Sequence, residues 1–161
     1  MTNLSSISQN SFDAVIAADN ALPHLLSNDE LQEALSEIAA RLTDDGVLLA
    51  TIRDYDNLVV ARPTMQPPVF HPQEEGYRVV HQVWHWEGNE YTVHHYLTIP
   101  TSQGWLSKHF ASGYCALLRA NLNNALLATG FGDIRWLEPA ETSFYQPIVL
   151  ARKTTHAAPI E

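Results

Sequence analysis

Two polar pairs close apolar runs in this chain, and their residue types are the ones able to do chemistry. Asp19-Asn20 ends the run Ala14-Val15-Ile16-Ala17-Ala18, and Arg53-Asp54 follows Val47-Leu48-Leu49-Ala50-Thr51-Ile52. An arginine can grip a carboxylate through two parallel N–H···O bonds, and an asparagine side-chain oxygen can accept from an amine N–H. Brought to one place, Asn20 and Arg53 would hold a small carboxylated amine at both ends. Such a site works by alignment, which supplies about 7–11 kcal/mol in the best cases, and needs neither a metal nor a triad if the amine arrives neutral. A plainer reading stands beside this one. Asp19-Asn20 is also good turn chemistry, and Arg53-Asp54 can be a local surface ion pair of little worth.

The elements around these residues decide whether they meet. Leu31, Leu35, Ile38, Ala39 and Leu42 form one helical stripe between the two apolar runs. Ser27 with Glu30 predicts a capping box, and Gly46 stands where a helix C-cap belongs. Two runs apolar on both faces, joined by a helix, predict a buried parallel pair with a right-handed crossover. Asn20 and Arg53 then share the carboxyl rim of an open α/β sheet, where ligands bind. His24 lies in the loop Ala21-Leu22-Pro23-His24-Leu25-Leu26 on that side.

Composition bounds the rest. At 161 residues, with 45% apolar residues and four Trp, the chain is long enough for one domain with a real core. A net charge of −9 argues against nucleic acid or an anionic membrane surface as partner. The single Cys115 excludes an intrachain disulfide and fits a reducing compartment, and no run is long and apolar enough to span a bilayer. The start lacks a signal peptide's basic and apolar regions, so a cytoplasmic location is expected. Cys115 admits two readings: a thiol of lowered pKa near a helix N-terminus, or a packed thiol facing the turn of Leu118 and Arg119.

Farther along, residues 1–11 read as a flexible lead-in and residues 154–161 as a disordered tail. Pro63, Pro67, Pro68 and Pro72 predict a stiff irregular excursion. Two alternating strands, Tyr77 to Trp86 and Tyr91 to Ile99, are joined by Gly88-Asn89, which suits a type II′ turn. That turn sets Trp86 opposite Tyr91, Trp84 opposite Val93 and Val80 opposite Leu97. The other face carries Tyr77, His81, His85, His94 and Tyr96. A further strand is expected from Trp105 to Ala111, making an inserted antiparallel layer over about 63–111. A zinc site there is disfavoured, since His81 and His85 would stand about 13 Å apart at about 3.3 Å per residue. Leu117, Leu118, Leu122, Ala125 and Leu126 then mark a helix stopped at Thr129-Gly130. Asp133 to Leu137 and Pro147 to Arg152 are the last strands, with a polar connection from Glu138 to Ser143.

Phe12-Asp13-Ala14-Val15-Ile16 followed by Asn20-Ala21-Leu22-Pro23-His24-Leu25 resembles the fourth strand and following loop of Rossmann-like S-adenosylmethionine-dependent methyltransferases. Leu42-Thr43-Asp44-Asp45-Gly46 stands at the family's turn before strand five. The ending Arg53-Asp54-Tyr55-Asp56 and the inserted hairpin resemble the glycine and sarcosine N-methyltransferase group. The resemblance runs from about residue 12 to 153. It implies an α/β fold, a partial Rossmann-like methyltransferase sheet of β-α-β, inserted antiparallel hairpin and α-β-β. It implies S-adenosylmethionine as cofactor and a small amine or amino acid as methyl acceptor. Asn20, Arg53 and Tyr77 fall to the acceptor, and Asp19, Ala21 and His24 to the cofactor. Two departures point away from glycine itself: Ala21 replaces a small hydroxyl residue, and Asp54 follows Arg53 where the glycine enzymes have Asn.

The family's first three strands, its glycine-rich turn and its ribose-binding acid have no counterpart here, about 90 residues at about 30 per βα unit. The chain holds only seven Gly and no Gly-x-Gly-x-x-Gly. Three readings therefore remain: a methyltransferase portion active only with the missing half, a ligand-binding or oligomerisation module derived from one, or an inactive fragment. The edge of the strand Phe12 to Ala18 would be open, which predicts a homo-oligomer sealed there or through the hairpin.

Overall fold

The computed structural model describes Leu4, Ile7, residues 11–73 and residues 76–154. Apart from Leu4, Ile7, Ser11 and Thr154, the expected lead-in and tail lie outside the described residues. The chain divides into two compact units, one of Met1–Asn57 with Leu117–Glu161 and one of Leu58–Ala116.

The first unit is an α/β sheet of four strands in the order β1-β2-β8-β7, where β1 is Phe12–Ala17, β2 is Leu42–Thr51, β7 is Phe131–Leu137 and β8 is Ile148–Lys153. β1 and β2 are parallel, with Ile16 opposite Leu49 and Ala17 opposite Ala50, as the crossover reading requires. β8 runs antiparallel between β2 and β7, so the carboxyl ends of β1, β2 and β7 share one rim with the amino end of β8. Leu48, Ala50, Val149 and Ala151 have no exposed surface and form one face of the core. Helices α1, Asn28–Arg41, and α3, Arg119–Ala128, contact each other and the sheet, and close that face. Leu31, Ala34, Leu35 and Ile38 are the buried stripe of α1, and Leu122, Ala125 and Leu126 that of α3.

The capping box forms as expected: Ser27 Oγ accepts from the Glu30 N–H at 3.1 Å, and Glu30 Oε2 accepts from the Ser27 N–H at 3.3 Å. Gly46 does not cap the helix. α1 ends at Arg41, with Leu42 in extended conformation as its cap, and Gly46 sits inside β2. A Cβ there would stand 2.9 Å from the Thr43 carbonyl oxygen and 3.0 Å from the Leu42 Cβ, so close backbone approach selects the glycine. The polar connection after β7 contains a short helix α4, Pro139–Thr142, held by a capping box between Glu138 and Glu141.

Helix α2, Tyr55–Ala61, was not anticipated; Asp54 precedes it and its Oδ2 accepts from the Asn57 side chain at 2.6 Å. The second unit is an antiparallel sheet in the order β3-β4-β5-β6, with β3 Met65–Gln73, β4 Gly76–Glu87, β5 Glu90–Thr101 and β6 Gly104–Cys115. The proline segment is therefore a strand and not an irregular excursion. It lies at the sheet edge and its register shifts between Gln66 and Val69, the two places where a strand tolerates proline. The hairpin register is as predicted, with Trp86 opposite Tyr91, Trp84 opposite Val93 and Val80 opposite Leu97. Of the two turn residues only Gly88 has positive φ, at 63°, as a type II′ turn requires.

Trp84, Trp86, Tyr91 and Tyr114 stack in sequence across β4, β5 and β6, with ring centroids 4.5–6.2 Å apart. On the other face His81 stacks on Tyr96, and His94 shares a 2.9 Å hydrogen bond with His109. Among the described residues no helix is long and apolar enough to cross a membrane, and no group of three or more His, Cys, Asp or Glu is placed to hold a metal ion.

Replacing Ser27 by Ala removes the cap of α1. Loss of about 1 kcal/mol is expected, seen in urea as a lower midpoint at unchanged slope.

Candidate functional site

β1 delivers Asp19 and Asn20 to the rim in two successive left-handed conformations, φ 56° and 63°. Asp and Asn are the side-chain-bearing residues that best tolerate that region. The conformation is held by bonds to β2 and the segment after it. The Asn20 N–H donates to the Thr51 carbonyl at 3.1 Å. Its Oδ1 accepts from the Arg53 N–H at 3.1 Å and the Tyr55 hydroxyl at 3.0 Å. Asn20 is only 3% exposed.

This geometry corrects one expectation. Both lone-pair positions of the Asn20 oxygen are taken by donors of the chain itself, so it does not orient an amine. The amide orientation follows from chemistry, because a flipped group would turn its NH2 toward two donors. The buried Nδ2 is the part of Asn20 without a hydrogen-bond partner among the described residues. A ligand atom meeting it would have to be an acceptor.

The network continues through residues the sequence did not single out. The Thr51 Oγ1 accepts from the Asp19 N–H at 2.8 Å and donates to the Gln146 Oε1 at 3.0 Å. Thr51 and Gln146 are both buried. The Tyr145 hydroxyl donates to the Asp19 Oδ1, and this bond, with some burial, pushes the phenol above its ordinary value near 10. The charge of Arg53 acts the other way on the same phenol. Asp19, Arg53 and Tyr145 thus form one electrostatic group at the ends of β1, β2 and β8. Tyr145 gave no signal in the sequence because 126 residues separate it from Asp19. Thr51, a polar residue in an aliphatic strand, and Tyr55, close behind Arg53, were the legible hints.

The remaining candidates occupy simpler places. Ala21 begins a single 3-10 turn, Leu22–His24, and its carbonyl accepts the His24 N–H at 3.3 Å. Leu22 and Pro23 are buried while His24 is exposed at the end of the turn. Arg53 is half-buried. Tyr77 belongs to the second unit, where it is exposed at the start of β4 with its ring edge-on to Phe70 at 6.5 Å. Cys115 ends β6, and burial followed by the charge of Glu90 raises its thiol pKa, the direction opposite to that of an activated thiol.

A second rim cluster is structural. Arg119 makes a two-pronged pair with Glu138, at 2.5 and 3.1 Å, and lies 4.9 Å over the Trp136 ring. Its Nε is 3.7 Å from Asp56. The Arg119 hydrogen bond holds the Glu138 carboxyl below the usual range and raises the guanidinium pKa. These contacts fix the start of α3 against the end of β7.

No protein-family model matches the sequence, and no curated protein matches it. Solved structures do. A Clostridium acetobutylicum S-adenosylmethionine-dependent methyltransferase superposes with a TM-score of 0.76 at 12% identity, over 96% of this chain and 62% of its own. An amino pentose methyltransferase of calicheamicin biosynthesis from Micromonospora echinaspora, solved with S-adenosylmethionine bound, gives 0.70 at 17% identity, over 89% of this chain and 59% of its own. A sugar N-methyltransferase from Streptoalloteichus gives 0.73 at 15%, over 92% and 58%. The fold is that of the Rossmann-like methyltransferases. The chain spans less than two thirds of the length of these three proteins.

Replacing Asn20 by Ala strands two donors and is expected to cost about 1–3 kcal/mol in denaturant unfolding, more than Tyr55→Phe, which removes one donor. Tyr145 should titrate above the ordinary tyrosine range in an ultraviolet pH titration, and Asp19→Asn should bring it down. Because the folded pKa is raised, the stability Tyr145 contributes is complete below pH 10 and is lost as pH climbs through the folded value.

Proposed function

We propose that this chain is the acceptor-binding portion of an S-adenosylmethionine-dependent methyltransferase that acts on the amine of a small carboxylated acceptor. The observation that carries the reading is the rim itself. On a sheet of the methyltransferase fold, Arg53 is positioned by its own N–H on Asn20 and lies within electrostatic reach of Tyr145 and its partner Asp19. Open α/β sheets bind ligands at this rim. Arg53 supplies a bidentate anchor for a carboxylate. The buried Asn20 Nδ2 asks for an acceptor oxygen from the same molecule. Asp19 brings a carboxylate acceptor for the amine end, and the Tyr145 oxygen, its proton given to Asp19, adds another.

The residues present fit the cofactor at one end only. Asp19, Ala21 and His24 line the loop after β1 and suit its amino-acid end. A glycine-rich phosphate-type or nucleoside cradle is not among them. The glycines with positive φ, Gly76, Gly88, Gly104 and Gly130, sit at the ends and turns of β3–β6 and after α3. No step of the reaction is therefore assigned to the cofactor on this chain. Its role when bound is to supply the methyl group.

A second acceptor class is favoured by the amino pentose and sugar N-methyltransferases among the solved relatives. An amino sugar offers hydroxyl oxygens to Asn20 Nδ2 and no carboxylate to Arg53. Calorimetry with sarcosine and with glucosamine, each in the presence of S-adenosylhomocysteine, separates the two. Sarcosine binding that weakens at least about tenfold in Arg53→Ala is the expected result. Glucosamine binding indifferent to Arg53 transfers the reading to amino sugars. Binding of neither removes the acceptor site.

A further inference from the structure

Tyr145 is the open member of the rim group, 67% exposed, yet the chain fixes it from both sides. Before it, Ser143 turns the backbone in a left-handed conformation, and the Phe144 N–H donates to the Thr142 Oγ1 at 3.2 Å. After it, Gln146 is buried and accepts the Thr51 hydroxyl at 3.0 Å. The Pro147 carbonyl then accepts the Ile52 N–H at 3.3 Å. The Phe144 and Tyr145 rings pack with centroids 4.7 Å apart. These contacts hold the phenol oxygen in place, and that place is the Asp19 carboxylate.

The hydrogen bond between the two sorts their oxygens. The Tyr145 proton goes to the Asp19 Oδ1, so the phenol meets a ligand with lone pairs only. A carboxylate has about four lone-pair sites, and Tyr145 fills one of those on Asp19. The Asp19 N–H is directed to Thr51 and away from any ligand. The pair therefore offers acceptor oxygens on two different side chains, and neither side chain has a proton left to give. An amine nitrogen that meets both must bring two N–H groups.

We propose that Asp19 and Tyr145 make this site select its acceptor by the number of N–H groups on the ammonium form, holding primary and secondary amines and rejecting tertiary ones. The inference rests on the proposed methyl transfer to a carboxylated amine and adds the degree of methylation that the site retains. In that reaction the lone pair of the neutral amine forms the N–C bond. The electron pair of the breaking C–S bond leaves with sulfur, and the surplus proton on nitrogen passes to water. Each turnover thus exchanges one N–H for one N–CH3. A secondary ammonium still satisfies both oxygens. A tertiary one satisfies Asp19, the charged acceptor, and lays a methyl group against the Tyr145 oxygen. A site that accepts an N–H rejects the analogue lacking it, because its own polar group is left unpaired. Water reaches the exposed Tyr145 and recovers part of that loss, so the discrimination is about fivefold to tenfold and not the thousands of a closed site. The product this site releases is a tertiary amine bearing a carboxylate.

The experiment is calorimetry at neutral pH with sarcosine, N,N-dimethylglycine and glycine betaine, each in the presence of S-adenosylhomocysteine. All three carry one carboxylate and one positive nitrogen, while their N–H groups fall from two to one to none. The wild type should bind sarcosine at least about fivefold more tightly than N,N-dimethylglycine, with betaine weaker still. Bulk alone would give the same order, and Tyr145→Phe separates the two causes by deleting one acceptor and keeping the ring. In that variant sarcosine should weaken to within about twofold of N,N-dimethylglycine, whose own affinity stays near the wild-type value. Asp19→Asn removes the opposing charge and should weaken all three ligands. Circular dichroism and thermal melting establish that both variants fold, and the wild-type series stands without them. Equal wild-type affinity for sarcosine and N,N-dimethylglycine overturns the inference. So does a sarcosine preference that survives Tyr145→Phe, or indifference of all three ligands to Asp19→Asn. If sarcosine binding still depends on Arg53 in those cases, the acceptor reading stands without the inference. Absence of sarcosine binding removes both.

Discussion

The buried carboxamide of Asn20 ties the end of β1 to the segment that follows β2. Its backbone N–H and its Oδ1 reach three groups on β2 and the turn after it, and it holds them from a left-handed conformation. Each of these bonds is worth only about 1 kcal/mol net, but a buried donor left unmade costs more than a made one gains. The Arg53 N–H and the Tyr55 hydroxyl would be such donors without Asn20. The Thr51 hydroxyl extends the same logic to β8 by accepting from Asp19 and donating to Gln146. A satisfied buried network of this kind rigidifies what it touches.

Rigidity at this rim bears on the proposed function. The acceptor site we propose works by alignment and needs its anchor held, and the Arg53 main chain is held by Asn20. The acidic and phenolic groups beside it come from different strands, Asp19 from β1 and Tyr145 from the segment before β8. Their hydrogen bond keeps the phenol protonated to higher pH, so the pair presents acceptor oxygens and a fixed charge. The second unit is organised by a different force. Its stack of Trp84, Trp86, Tyr91 and Tyr114 combines large apolar area with offset ring contacts across three strands.

Much of the fold was legible because local signals agreed with the global arrangement. Ser27 and Glu30 announced the start of α1, and Gly88-Asn89 fixed a hairpin register that the structure reproduces pair for pair. The misreadings have physical causes. Gly46 suggested a helix terminus, but its missing Cβ serves a close approach to Leu42 and Thr43 inside a strand. The four prolines suggested an irregular segment, yet an edge strand with a register shift needs few of the donors that proline lacks. The short helix α2 was hidden because seven residues are too few for a periodic pattern to stand out, and the β-branched Val59 and Val60 are weak helix formers.

The sequence by itself determined which residues end the two parallel strands, since apolar runs closed by Asp19-Asn20 and Arg53-Asp54 leave those pairs only the carboxyl rim. It also determined the absence of a glycine-rich turn. Only the tertiary structure decided what the rim residues do there. Whether the Asn20 oxygen is available to a ligand depends on Arg53 and Tyr55 folding back onto it, 33 and 35 residues away. Whether Asp19 is alone depends on Tyr145, brought to it by the antiparallel return of β8. Hydrogen-bond partners across such distances are set by strand order, and strand order is a property of the folded sheet.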